Sequence, residues 1–382
     1  MRTRPNLGVL YLLCCASTFL AAQSMTASAD RDMTIVPDLS PHRVQMVKVD
    51  QGVQLEVLDW GGTGRPVVLL AGSGNTAHIY DDFAPKLAEN YHVYGITRRG
   101  YGASSSPASG YSVRRLSDDV TAVLEALKIV RPVIVAHSFA GQELSSIATR
   151  FPGKIAGAVY LEAAYGYAFY DAKVGDLAFD LPELQKKIEL FNDSRADVKL
   201  IDELLHTDLP LFERELEEQK RGSELVAQIG SGRALPSKGD MASFAALRSW
   251  YAVNMIGGNP PEIELHQSFE ANADGSVGKF RPHPAISVED AKWEKFTVLP
   301  VPVLAIFACP PDLGPLIDKD PILREKFDAY KEADCQARAK ALESDVPGAR
   351  VLLWPHVFHY LFIARQEQVL KELRAFVDSL PQ

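Results

Sequence analysis

A mostly parallel, eight-stranded sheet with helices on both faces is the fold class that this 382-residue sequence predicts. Two alternating segments near the start, "VQMVKVD" and "VQLEVLDW", read as strands joined through Gln51-Gly52. After them, short continuous apolar runs alternate with helical stripes, the pattern of buried parallel strands joined by crossover helices. That rhythm stops at about residue 163 and resumes at about 296, so the intervening block reads as an insertion at one point of the sheet.

The elements follow in order. "VVLLAG" is a buried strand, "HIYDDFAPKLAEN" a helix, "YHVYGIT" a strand, and "RRGYGASS" a glycine-rich loop. "VRRLSDDVTAVLEALKI" carries apolar residues at 113, 116, 120, 123, 124 and 127, a helical stripe. "RPVIVAH" then makes a strand, "SFAGQELSSIATRF" a helix and "KIAGAVYLE" a strand. From 163 to 295 only helical and loop patterns are read. The tail gives "VPVLAIFA" as a strand, a helix beginning "PILREKF", the strand "ARVLLW" and a last helix near 364–380.

With 47% hydrophobic and 23% charged residues, the chain has the composition of a globular protein. A net charge of −9 without a dense basic run argues against nucleic acid as a partner. Residues 1–29 resemble a signal peptide: Arg2 and Arg4 precede the apolar run "LGVLYLLCCASTFLAA", and Ala27-x-Ala29 offers a cleavage site, with an earlier one in "LAAQ". The alternative is an uncleaved anchor, but the run falls short of the roughly 20 residues a span needs. The expectation is therefore export to a periplasm or the medium, with no stable membrane insertion after cleavage. Export would leave Cys309 and Cys335 as an even pair that either forms a disulfide or stays as two buried thiols. No Cys/His spacing suggests a zinc site, and neither a metal nor a cofactor is expected.

Ser138 ends a strand and opens a helix in "VIVAHSFAGQEL". A nucleophile on such a strained turn has the pattern G-x-S-x-G. Here Ala136 and Ala140 replace both glycines, a substitution by the next smallest residue. The helix start also aims backbone N–H groups at the spot where an oxyanion would develop. His137 beside it reads as a shaper of the turn.

At this point the chain, over roughly residues 44–380, resembles the α/β-hydrolase superfamily. "LLAGSG" resembles the oxyanion loop after the third strand, with Ala71 in place of the usual histidine; "RRGYGASS" resembles the loop after the fourth; "AHSFAG" resembles the nucleophile elbow; "WPHVFHYLF" resembles the loop of the catalytic histidine. The resemblance implies a core at 30–162 and 296–382 with a helical cap at 163–295. It also implies Ser138 as nucleophile and His359 as base, preferred over His356. For the triad acid it offers two positions. Asp312 after the seventh strand is the first choice. Glu162 after the sixth, similar to the acid placement in some haloalkane dehalogenases, is the second. Backbone amides of Ser73 and Phe139 would form the oxyanion hole, with Gly72 and Gly74 allowing close approach. Tyr165, Tyr167, Phe169 and Tyr170, with Trp250 and Tyr251, would line an aromatic pocket or fill the core of the cap.

A serine nucleophile implies acyl transfer, whereas an aspartate there would imply an epoxide-hydrolase or dehalogenase route. The broadest expectation is hydrolysis of a carboxylic ester of a small to medium, apolar acyl substrate. Peptide or amide, lactone and carbon–carbon bond cleavage use the same triad. A non-catalytic binding protein on this fold is the other class, given the altered elbow.

Overall fold

The computed structural model of the chain describes residues 41–192, 197–229, 235–254, 258–281, 283, 292–314, 317 and 320–381. The segment read as a signal peptide lies outside these residues. Ten strands occur among them: β1 Arg43–Asp50, β2 Val53–Gly61, β3 Pro66–Leu70, β4 His92–Ile96, β5 Val133–His137, β6 Gly157–Leu161, β7 Phe269–Ala271, β8 Val277–Phe280, β9 Val303–Ala308 and β10 Arg350–Trp354. Eight of them make one sheet in the order β1-β2-β4-β3-β5-β6-β9-β10. The first two junctions, β1 with β2 and β2 with β4, are antiparallel. All the others are parallel, so the predicted mostly parallel sheet is present.

The central strands have no polar face because helices cover both sides. Along β5, Ile134 and Ala136 enter one apolar cluster with Val120, Val123 and Leu144. Val133 and Val135 enter the other with Leu87, Val369 and Leu373. This alternation is the period of two that a strand imposes. The first face is covered by α1 (Val113–Ala126) and α2 (Ala140–Arg150). Between β6 and β9 lie α3 (Leu177–Asn192), α4 (Leu209–Ile229), α5 (Phe244–Asn254) and α6 (Glu262–Ser268). The long α7 (Pro321–Asp345) and the final α8 (Gln366–Ser379) complete the molecule. Their starts obey local rules: the Ser112 hydroxyl accepts from the Arg115 amide at 3.3 Å, and the Asp320 carboxylate accepts from the Ile322 and Leu323 amides.

Two expectations need correction. The 78–90 segment is not one helix but a tight turn, Ala77–Tyr80, followed by a short helix, Ala84–Ala88. Pro85 in the first turn of the second piece has no N–H with which to continue a helix from the first. The block from 163 to 295 is not purely helical either, because β7 and β8 pair as an antiparallel hairpin. "FEA" and "VGKF" are too short to show a period by themselves.

Candidate active site

The site forms where β5 and β6 end. Ser138 follows β5 with φ 52°, and Glu162 follows β6 with φ 51°. Left-handed backbone at two residues with side chains is strained, and it persists only where the surroundings hold it. Here the Ser138 amide donates to Leu161 O at 3.2 Å and the Glu162 amide to Ile306 O at 2.9 Å, so each turn is tied to the next strand. The tight spot of the elbow is one residue later than the motif suggests. A Cβ on Gly141 would stand 2.0 Å from the Ala163 carbonyl oxygen, whereas Ala136 and Ala140 are simply buried.

Glu162 is fully buried, and its carboxylate meets His359. The imidazole Nδ1 lies 3.1 Å from Glu162 Oε2. The same carboxylate accepts from the Ala308 amide at 2.5 Å and from the Tyr165 hydroxyl at 2.9 Å and 3.0 Å. These donors come from β9 and from the start of the cap segment, so the acid is clamped from two sides. Asp312, the sequence's first choice, is elsewhere. Its Oδ1 accepts from the Gly314 amide at 2.8 Å and lies 3.5 Å from Arg324. The carboxylate turns back into its own loop, and the partner of the imidazole is Glu162. His356, the rival histidine, is exposed, with Nδ1 3.9 Å from Asp328, while His359 is buried. Burial and then the nearby His359 hold His137 well below the usual imidazole range. It is therefore neutral near pH 7, and its Nε2–H donates to the His359 carbonyl at 3.2 Å.

The loop after β3 approaches the elbow closely. A Cβ on Gly72 would meet Ser138 Cβ at 3.0 Å and His137 Nδ1 at 3.0 Å, so glycine is needed there for contact rather than for backbone freedom. The amides of Ser73 and Phe139 donate to no backbone carbonyl among the described residues, as the donors of an oxyanion hole must not. Sequence reading missed the brace of this loop. The Arg98 guanidinium donates to Ala71 O at 2.9 Å and Gly72 O at 3.3 Å, and its Nε donates to buried Glu143 at 2.5 Å. Burial pushes the Glu143 carboxyl up, and Arg98 pulls it down. It also missed Glu264 on α6, which accepts from Asn75 Nδ2 at 3.0 Å, the Thr76 amide at 3.1 Å and the Thr76 hydroxyl at 2.5 Å. The doubled arginine in "RRGYGASS" was the available signal for the first; an acid in the cap gives none for the second.

A cavity of about 580 Å³ lies between the cap segment and α7. Its wall includes His359, Tyr165 and Tyr167, but neither Ser138 nor the 72–74 loop. Trp250 and Tyr251 pack in the separate cluster with Phe244 and Leu265. Phe169 joins the main core, and Tyr170 packs on Phe179. Cys309 and Cys335 are joined by a disulfide, with Cα atoms 6.0 Å apart. Among the described residues, one trio could offer ligands to a metal: His42, His78 and Asp81, with ligand atoms within 4.8 Å of one another. Asp81 already accepts from His42 at 2.9 Å, His78 at 3.0 Å and Trp60 Nε1 at 3.1 Å, which describes a hydrogen-bonded anchor.

The sheet order, the elbow and the buried histidine–carboxylate pair together define a hydrolase of the α/β class. The alpha/beta hydrolase family model matches residues 67–371, and the chain belongs to that family. It is similar to the non-heme chloroperoxidase of Streptomyces lividans, 33% identical over 120 residues, 31% of this chain and 44% of that protein. It is also similar to the bifunctional esterase/perhydrolase DCH of Acinetobacter calcoaceticus, 31% identical over 122 residues, 31% of this chain and 44% of that protein. A third relative, epoxide hydrolase A of Mycobacterium tuberculosis, is 38% identical over 92 residues, 23% of this chain and 29% of that protein. The chain thus matches less than half the length of each of these relatives. Among solved structures, E-2-(acetamidomethylene)succinate hydrolase superposes with a TM-score of 0.53 at 14% identity, covering 88% of this chain and 100% of that one. That likeness speaks for the fold alone.

Proposed function

We propose that the protein is an exported serine hydrolase that cleaves a carboxylic ester, or a related acyl bond, through an acyl-enzyme on Ser138. The observation that carries the reading is the buried Glu162–His359 pair at the end of β6, next to the strand whose end carries Ser138 on a left-handed elbow. In this reading His359 takes the Ser138 hydroxyl proton as the oxygen attacks the acyl carbon. Glu162 holds the imidazole in the tautomer with hydrogen on Nδ1 and stabilises its charged form. The Ser73 and Phe139 amides receive the oxyanion. The imidazolium then returns its proton to the departing alkoxide, and water, deprotonated by the same imidazole, releases the acid and frees Ser138.

Labelling with a fluorophosphonate probe, combined with a panel of p-nitrophenyl esters, tests this directly. Wild-type protein should label on Ser138 and turn over at least one short-chain ester, and Ser138→Ala should lose both properties while staying folded. A folded wild-type protein that neither labels nor hydrolyses would point to a binding protein instead. The relative named as an esterase/perhydrolase supports one further arm: hydrogen peroxide replacing water at deacylation would release a peracid from the same intermediate. Export rests on the sequence of residues 1–29, and mass analysis of protein recovered outside the cytoplasm should find a chain beginning near Asp30.

A further inference from the structure

The cavity that reaches His359 is not the plain apolar pocket expected from the sequence. Tyr165, Tyr167 and Tyr330 supply aromatic surface, and Asp176, Glu215 and Arg338 stand among them. Asp176 is only 4% exposed, yet its Oδ2 has no hydrogen-bond partner among the described residues. Its other oxygen is committed, accepting from the Ala178 amide at 3.1 Å at the head of α3. Arg338 faces it across Gly166, where a Cβ would stand 1.9 Å from Asp176 Oδ2 and 2.9 Å from Arg338 Nη1. The guanidinium is tied at Nε to Asp334 at 2.9 Å. A buried acceptor that lacks a donor costs roughly 1 to 3 kcal/mol unless something fills the gap.

The geometry points to a hydroxyl-bearing substrate: we propose that the cavity binds the alcohol half of an acylated sugar or similar polyol, with Asp176 and Arg338 sharing one of its hydroxyls. The inference rests on the serine-hydrolase reading above. A hydroxyl is the group that suits these two residues together, because it accepts from a guanidinium while donating to a carboxylate. An ammonium would meet the guanidinium charge, and a carboxylate would meet Asp176. Aromatic walls suit the C–H faces of a sugar ring, and the volume lies in the range of small-molecule sites. Placement agrees as well. The imidazole hands its proton to the departing alkoxide, so a cavity that touches His359 but not the 72–74 loop is positioned for the leaving alcohol. Burial raises Asp176 to about 6 against the pull of Arg338, so it is mainly ionised at neutral pH. Burial and then Asp180 raise Glu215 to about 8, so it is mainly a neutral acid at neutral pH.

The test compares two butyrate esters of similar size, methyl 6-O-butyryl-glucoside and heptyl butyrate, with p-nitrophenyl butyrate as a general ester. Wild-type kcat/KM should favour the sugar ester over the heptyl ester by at least about tenfold, since a site built for a hydroxyl rejects the analogue lacking it. In Asp176→Asn the Oδ1 cap is kept and the Oδ2 acceptor becomes a donor, so that ratio should fall at least about fivefold. Arg338→Gln should lower it in the same direction. Fluorophosphonate titration of Ser138 corrects each value for the folded fraction. Equal wild-type rates on the two esters, or a ratio unmoved in both variants, would overturn the polyol assignment while p-nitrophenyl butyrate turnover leaves the hydrolase reading standing. Loss of labelling and of all turnover in the wild type would overturn both.

Discussion

Glu162 carries the main lesson at the scale of single residues. Its carboxylate, and not that of Asp312, reaches the imidazole. Glu162→Gln should therefore lower kcat by about 10³- to 10⁴-fold at nearly constant KM, as loss of a triad acid does elsewhere. Asp312→Asn should change kcat by less than about twofold. Comparable losses in both variants, measured on the same ester, would move the role away from Glu162. Ser138 and His359 were legible in the sequence as candidates because each sits in a local pattern: apolar strand, Ser138, helix; and "WPHVFHYLF" before the last helix. The choice of acid was not. Two strand ends offered a carboxylate, and what separates them is the donor set around each, supplied by Ala308 and Tyr165 in one case and by Gly314 in the other. Glu264 is a second residue whose neighbours decide its chemistry. Burial lifts it from 4.5 to about 7, against the pull of Thr76 and Asn75. The folded protein thus holds this proton more tightly than the unfolded chain. Its stabilising contribution is complete below about pH 4.5 and is lost as pH rises through about 7. A series of melting temperatures from pH 4.5 to 8 should fall less steeply for Glu264→Gln than for the wild type.

At the scale of elements, the loop after β3 is shaped by what grips it. Arg98 spans from Glu143 on α2 to the carbonyls of Ala71 and Gly72, and so ties the loop to the helix that begins at the elbow. Arg98→Met would leave Glu143 buried without its cation, at a cost of roughly 3 to 5 kcal/mol. Urea denaturation should show that loss, and Arg98→Met combined with Glu143→Leu should recover a large part of it. If the double variant is no more stable than the single one, the two groups are not a coupled pair. Elements were legible in proportion to how far their own residues determine them. The strands flanking the site are uniform apolar runs, and α1 carries a clean stripe from Val113 to Leu124. The β7–β8 hairpin and the broken 77–88 segment were not legible, the first because its strands are short and the second because a single proline overrides a helical pattern.

On the scale of the whole molecule, the disulfide joins the end of β9 to the middle of α7. It spans a sequence separation of 26 residues, and closing such a loop in the unfolded chain corresponds to roughly 3 to 4 kcal/mol. Cys309→Ala/Cys335→Ala should be destabilised by an amount of that order in urea, and reduction of the wild type should bring the two proteins together. A difference that persists after reduction would mean that the alanines disturb packing instead. The described residues contain no helix long and apolar enough to cross a membrane.

The position of the acid has one further consequence. With Glu162 at the end of β6 in contact with His359, the carboxylate in the turn after β9 is not that imidazole's partner; Asp312 lies 3.5 Å from Arg324 on α7, and Leu313 packs with Leu323 and Phe327. Under the proposed function, chemistry and selectivity would thereby be separated along the chain. Changes at Asp312 and Leu313 would leave the Glu162–His359 pair untouched while altering the contacts at the start of the helix that bears Tyr330 and Arg338. In the proposed hydrolase, that stretch would be a place where substrate range could drift under mutation without rebuilding the catalyst.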